Sequence, residues 1–373
     1  MRRSPRRQAP LAPAPRHAYL MRAGRRRTLA APPPDPFGEH RPGALLARMQ
    51  LLGGRFEFTS DSARLLRIVH SAYAGLPPHK LPGVPPRLRL RLVLTGPARS
   101  TRRAAREPPP VRTLASGGIL CGAIDGASFV TIDVPQRAAL IVVARDLLRY
   151  AYHIRYELLE FAAYVLAARV QGLAPLHAGC VGHGGQGILI LGASGSGKST
   201  LVLQCLLSGL DLLAEDSVLV TPQGLLATGV ASFLHLRADA LRFLDRAQRS
   251  TVRRRSAVIR RRSGVEKLEI DLRCPAFRLA ATPLRIGAVV FLSSRSARGR
   301  QLLLPLRKAI MLRRLAAGQR YAARQPGWST LRRRLCTLPA YELRRGQHPR
   351  ESVAAVRALL EAISPTDSLR APA

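Results

Sequence analysis

Alternating apolar and polar residues mark the clearest elements of this chain. Leu88-Arg89-Leu90-Arg91-Leu92-Val93-Leu94 reads as a strand with one solvated face, because successive side chains of a strand point to opposite sides. Arg55-Phe56-Glu57-Phe58-Thr59 alternates in the same way, and residues 128–134 and 140–143 read as further short strands. Leu65, Leu66, Val69 and Tyr73 recur at helical spacing over residues 61–73, with Ser60 or Asp61 placed to cap the helix. Together these elements predict a small α+β domain with an antiparallel sheet over residues 41–150.

The pattern changes after residue 150. A near-continuous apolar stretch centred on ELLEFAAYVLAARV predicts a long helix buried between layers, running to about residue 170 and ended by Gly172. Residues 176–181, 187–191 and 212–220 read as strands, and residues 198–208 as a helix closed by Gly209. Strands at 267–272 and 286–292 follow, then helices near 307–317 and 351–362 with a strand at 340–343 between them. This second region, residues 151–366, is expected to be an α/β nucleotide-binding catalytic domain on a mixed sheet. The basic tract 253–262 is expected to be a solvated loop or a mobile lid. Residues 1–40, rich in Arg, Pro and Ala, are expected to form a disordered arm, since they have too little apolar surface to bury.

Charge changes this picture less than its size suggests. Lys and Arg total 60 against 22 Asp and Glu, a formal net charge of +38. A basic surface attracts nucleic acid or anionic membrane. Binding modules of that kind interleave basic stripes with aromatic residues or a reading helix. Here aromatic residues are only 5% of the chain, so a nucleic-acid partner is not expected. The cysteines, Cys121, Cys180, Cys205, Cys274 and Cys336, lie far apart without a Cys-x-x-Cys pair, which favours free thiols in a reducing cytoplasm. No apolar run reaches the length of a membrane span, and no membrane partner is expected.

The candidate chemistry lies between the strand at 187–191 and the helix at 198–208. Gly192-Ala193-Ser194-Gly195-Ser196-Gly197-Lys198-Ser199 satisfies GxxxxGK[ST], and Thr200 continues into the helix. In such a loop the glycines let successive backbone N–H groups curl around phosphates. The helix N-terminus adds its positive end, the lysine reaches the β- and γ-oxygens, and the serine hydroxyl can ligate Mg2+. Ala214-Glu215-Asp216 follows Lys198 closely, with room for one helix and an immediate return strand. An Asp beside the nucleotide can take a hydroxyl proton or help to hold Mg2+. His177, at the end of the strand before the hairpin Gly182-His183-Gly184-Gly185, is placed to approach the same site. Arg237, Lys267 and the 253–262 tract are further candidates for acceptor or phosphoryl contacts.

Leu176-His177-Ala178-Gly179, the glycine-rich loop and Leu213-Ala214-Glu215-Asp216 together resemble the core of the HPr kinase/phosphorylase family. The likeness spans about residues 172–222 and extends more weakly to the C-terminus. It implies a phosphoenolpyruvate-carboxykinase-like fold and the use of ATP and Mg2+ to phosphorylate a protein serine. It also implies roles: His177 as the active-site histidine, Lys198 and Ser199 as the loop lysine and metal-binding serine, and Asp216 as the general base. Glu215 stands where the family has a first Asp and keeps a carboxylate for the metal. The family's RGLGI-type segment is not found, and the N-terminal half is unlike the authentic enzyme's regulatory domain. Divergent relatives phosphorylate ribosomally made peptides such as lasso-peptide precursors, so the acceptor is left open between a protein and such a peptide.

The resulting expectation is a Mg·ATP-dependent serine kinase acting on a protein or peptide hydroxyl, with self-association left open. Two alternatives remain: a nucleotide-binding regulatory protein that has lost catalysis, and a nucleic-acid-associated ATPase.

Overall fold

The structure, a computed structural model, describes residues 45–97 and 107–364. The arm predicted over residues 1–40 lies outside the described residues, as does part of the loop predicted near residue 100.

Residues 45–144 build a seven-stranded sheet. In spatial order its strands are Leu45–Leu51, Gly54–Ser60, Arg87–Thr95, Ala138–Ala144, Phe129–Asp133, Ile119–Ala123 and Arg112–Ser116. The expected antiparallel sheet is in fact mixed. Arg87–Thr95 pairs in parallel with both Gly54–Ser60 and Ala138–Ala144. The helix Ala63–Tyr73 supplies the crossover between the first of these parallel partners, which a tight turn could not do. Ser62, rather than Ser60 or Asp61, caps that helix and accepts from the Leu65 N–H. The Leu-Arg alternation has its expected meaning: Leu88, Leu90 and Leu92 are buried while Arg87 and Arg89 are exposed.

The long helical segment is real but irregular. A 3-10 turn, Arg145–Tyr150, leads through Ala151–His153 into a π-helical turn, Ile154–Leu159, and then the α-helix Glu160–Val170. Its small buried face, Ala162, Ala163 and Ala167 with Leu166, packs in one apolar core with Leu90, Val130 and Ile132 of the seven-stranded sheet. The π-helical turn widens the backbone where Arg155 is buried; such turns recur at functional sites.

Residues 174–345 build a second, nine-stranded mixed sheet. Its main path runs Asp211–Ala214, Gly179–His183, Gln186–Leu191, Leu284–Ser296, Leu226–Gly229, Ser217–Val220 and Ala174–His177. Ala340–Arg345 adds in parallel to Leu284–Ser296, and Leu303–Pro305 pairs with Ala340–Arg345. Two strands expected to be continuous are broken. Residues 176–181 divide at Ala178, and residues 212–220 divide at Glu215 and Asp216. The two breaks face each other, because Ser217 pairs with His177 on one side and Ala214 with Cys180 on the other. The Ala178 N–H donates to the Asp216 carbonyl at 3.0 Å across the corner. The strand ladder is interrupted there, at His177–Ala178 on one side and at Glu215 and Asp216 on the other.

A three-stranded sheet, Phe233–Leu236, Glu266–Asp271 and Ser256–Arg260, lies beside this corner. The basic tract is therefore not a loop or lid. Arg253 and Arg254 close the helix Arg246–Arg254, and residues 256–260 form a strand paired with Glu266–Asp271. Alternate side chains of that strand can be solvated while its backbone is satisfied by the neighbour, which makes a basic composition compatible with a sheet edge. The described chain is thus an α/β fold of mixed sheets. No helix among the described residues is long and apolar enough to cross a membrane.

Candidate active site

The glycine-rich loop leaves the buried strand Gln186–Leu191 and enters the helix Lys198–Leu207. Gly195 and Gly197 adopt φ of +78° and +100°, a region that side chains with a Cβ rarely enter, and a Cβ at either would meet nothing within 4 Å. Residues 193–200 of the loop and the helix start line an open cavity. The N–H groups of the first helical turn have no carbonyl partner within the helix and give that end a partial positive charge. The buried Ser196 hydroxyl has no hydrogen-bond partner among the described residues. These features describe a cradle for an anion, with a donor held in reserve.

Lys198 lies at the mouth of this cradle. Its Nζ donates to the Gly192 carbonyl at 2.8 Å and lies 3.4 Å from His177 Nε2. Among the described residues it forms no ion pair with a carboxylate, although it is largely buried. A buried ammonium without an anion has unmet electrostatic demand. His177 Nδ1 lies 3.2 Å from Asp216 Oδ1. A neutral imidazole with its proton on Nδ1 satisfies both contacts, donating to Asp216 and accepting from Lys198. Gln319 fixes the position of the histidine through its backbone. Its side-chain NH2 donates to the His177 carbonyl at 2.9 Å, and its side-chain oxygen accepts from the His177 N–H at 2.8 Å.

The adjacent carboxylates have different surroundings. The Asp216 side chain is 34% exposed, whereas that of Glu215 is 7% exposed and accepts a hydrogen bond from the Ser199 hydroxyl. Burial pushes the Glu215 carboxyl up, but hydrogen bonding from His235 and Ser199 and the charge of Lys267 outweigh it, leaving the group below its ordinary value. His235 lies between two acids: its Nδ1 is 3.7 Å from Glu215 Oε2 and its Nε2 is 3.0 Å from Glu269 Oε1. Burial alone would lower the His235 pKa, yet the flanking carboxylates raise it. Arg155 completes the chain by pairing with Glu269, and its Nε lies 3.3 Å from Glu160. A buried polar path thus runs from Ser199 through Glu215, His235 and Glu269 to Arg155.

The sequence reading does not single out His235, Glu269 and Arg155, which the structure places in this polar path. His235 lies between Leu234 and Leu236, and Glu269 between Leu268 and Ile270, so each interrupts an apolar strand. That signal was visible, but it did not show that the two are direct cross-strand neighbours, as the register makes them. Of the sequence candidates, Gly195, Gly197, Lys198, Ser199, Thr200, Glu215, Asp216 and His177 line one cavity of about 610 Å3, and Arg237 and Lys267 line it as well. Burial and the charge of nearby Arg261 lower the Lys267 pKa. At the cavity's other end, Phe243 and His348 meet edge to face with ring centroids 5.6 Å apart.

The donor set beside the loop is hard oxygen: the Ser199 hydroxyl and the Glu215 carboxylate. That set suits Mg2+, which commonly takes one or two protein oxygens and completes its shell with phosphate and water. Among the described residues no cluster of three or more His, Cys, Asp or Glu forms an all-protein metal site. The free cysteines lie outside this chemistry, and burial pushes the Cys180 and Cys205 thiols up.

No family model and no curated protein matches this sequence. Among solved structures, the Hpr(Ser) kinase/phosphatase from Coxiella burnetii aligns at 14% identity with a TM-score of 0.26, covering 50% of this chain and 98% of that one. At that score the likeness carries no argument about the reaction, which must be read from the site.

Proposed function

We propose that this protein is a Mg·ATP-dependent kinase that transfers a phosphoryl group to a serine hydroxyl of a protein or peptide. The observation that carries the reading is the convergence, in one cavity with the glycine-rich loop, of a buried lysine that has no carboxylate partner among the described residues and a pair made by the half-buried Asp216 and the exposed His177. The cradle is suited to triphosphate oxygens, and the Phe243–His348 pair offers a ring platform for a nucleobase. Ser199 and Glu215 would hold Mg2+, whose charge supports the phosphate oxygens when it is bound.

Asp216 is the accessible carboxylate and takes the proton from the acceptor hydroxyl as its oxygen forms the new bond to phosphorus. The bond from phosphorus to the ADP oxygen breaks, and Lys198 and the loop N–H groups stabilise the charge left on ADP. His177 orients Asp216 through Nδ1 and receives its own position from Gln319. Glu215, buried and hydrogen-bonded, is unsuited to meet an acceptor and suited to a metal.

Asp216→Asn tests this division of labour. Phosphoryl transfer should fall by about 10²- to 10⁴-fold while nucleotide affinity is kept. Near wild-type transfer by that variant would remove Asp216 as the base. Nucleotide binding with no transfer by the wild-type protein to any serine substrate would instead favour the regulatory alternative.

A further inference from the structure

A second cavity, of about 760 Å3, adjoins the nucleotide cavity and shares His177, Glu215, Asp216, His235 and Arg261 with it. The shared wall therefore contains the proposed base. The two cavities differ in character. The first is lined by the glycine-rich loop, Lys198, Lys267 and several arginines; the second is walled by Phe161, Tyr164, Leu176, Val218, Val230 and Phe233. Phe161 and Tyr164 come from the helix Glu160–Val170, Leu176 and Val218 from the strands at the corner, Val230 from the chain just after Leu226–Gly229, and Phe233 from the three-stranded sheet, so the apolar wall is assembled from several packed elements.

Its charges are distributed unevenly. Arg155 and Glu160 on the inner wall lie 3.3 Å apart. Arg262 donates to Glu157 at 2.7 Å, and Arg261 donates to the Tyr156 hydroxyl at 3.2 Å. Arg320 differs: its side chain is exposed, it lines the cavity and, among the described residues, it has neither a hydrogen-bond nor an ion-pair partner. It is also the residue after Gln319, whose side chain holds the His177 backbone. A free cation thus lies at the rim of an apolar cavity, one residue from the element that positions the base.

Resting on the kinase reading above, we infer that this cavity is the acceptor site, and that it selects a peptide serine flanked by a bulky apolar side chain and an acidic one. The apolar side chain fills the aromatic-walled cavity, the carboxylate meets Arg320, and the serine hydroxyl is left at Asp216 on the shared wall. An apolar side chain set against Phe161, Val218, Val230 and Phe233 gains from leaving solvent.

The test uses the full-length protein and short labelled Gly/Ala peptides carrying one serine, with Phe or Gly beside it and Asp, Asn or Lys beyond. Binding by fluorescence anisotropy and phosphate transfer from ATP are measured in parallel. Phe in place of Gly should raise affinity roughly tenfold to a hundredfold, as expected for burying one large apolar side chain. Arg320→Glu should reverse the preference from the Asp to the Lys peptide, a charge swap that simple damage to the fold would not produce. Tyr321→Ala, at the exposed rim of the same cavity, should reduce the gain from Phe without touching the nucleotide cavity.

Equal binding of the Phe and Gly peptides, or an Arg320→Glu variant with unchanged preference, overturns the assignment. Phosphorylation of a small apolar alcohol with no peptide preference does so too. Selective binding of the Phe/Asp peptide without transfer upholds the peptide site while removing the kinase reading, so the two fail separately.

Discussion

The seven-stranded sheet and the nine-stranded sheet are both mixed, yet they bury different things. In the first, the interior is Phe56, Phe58, Leu88, Leu90, Ile132, Ile141 and their neighbours, and no charged side chain of its strands is buried. Arg48 and Arg87 meet Glu57 near its surface, where ion pairs contribute little. The second sheet and its three-stranded neighbour bury Lys198, Glu215, His235 and Glu269. Desolvating those groups costs free energy, which pairing offsets for Glu215, His235 and Glu269 but not for Lys198. The strands of the first sheet build their core without such groups. The presence of these groups beside the glycine-rich loop therefore marks the second region as the one shaped by chemistry.

The sharpest way to break this comparison is to remove one charge from the buried path. Glu269→Ala leaves Arg155 and His235 without their shared carboxylate and should destabilise the protein by about 3–5 kcal/mol. Denaturant unfolding checks this, and a loss below about 1 kcal/mol would mean that the path is not held as a unit. Lys198→Ala should slow phosphoryl transfer by about 10²- to 10³-fold, comparable to losing one donor of an oxyanion site. Its unfolding midpoint should rise or stay level, since a buried cation without an anion is removed.

Leu90→Ala probes the other sheet. It should cost about 2–5 kcal/mol of stability through lost burial and the cavity left behind. Turnover per folded molecule should not change, and a large change would show that the first sheet also shapes the site.

The pH dependence has two limbs. His235 binds its proton more tightly folded than unfolded, so its contribution is complete below its ordinary value of 6.5 and is lost as pH rises through the raised folded value. Glu269 is depressed by His235 and Arg155 despite burial, so its contribution is present above 4.5 and is lost as pH falls through the folded value. Thermal unfolding should therefore peak between these limbs, and His235→Asn should flatten the alkaline one. The smallest effect is expected from Gln319→Ala. Loss of its two hydrogen bonds to His177 should cost about 1–3 kcal/mol in stability or transfer, read by unfolding and single-turnover rates.

Much of the first region was legible because alternation is a local property. Leu88 to Leu94 states which face is buried wherever the strand lies in the sheet, but not that its neighbours run parallel. The helix Ala63–Tyr73 was legible too, yet its role as a crossover depends on where the chain returns. In the second region the strand–loop–helix at Gln186–Leu207 could be read directly. The basic tract was misread because arginine content reports solvation, whereas the strand at 256–260 is made by pairing with Glu266–Asp271.

The sequence by itself determined the glycine-rich loop and its lysine, the apolar faces of both regions, and the nearness of an acid and a histidine to that loop along the chain. Each is a matter of residue type at short spacing, where backbone geometry leaves little choice. Tertiary structure alone decided that the two strand breaks coincide, that Asp216 is accessible while Glu215 is buried, and that His235 faces Glu269 across a ladder. Those relations join residues far apart in the chain. Register, burial and the local dielectric are set by what packs against a residue, and no local pattern encodes that partner.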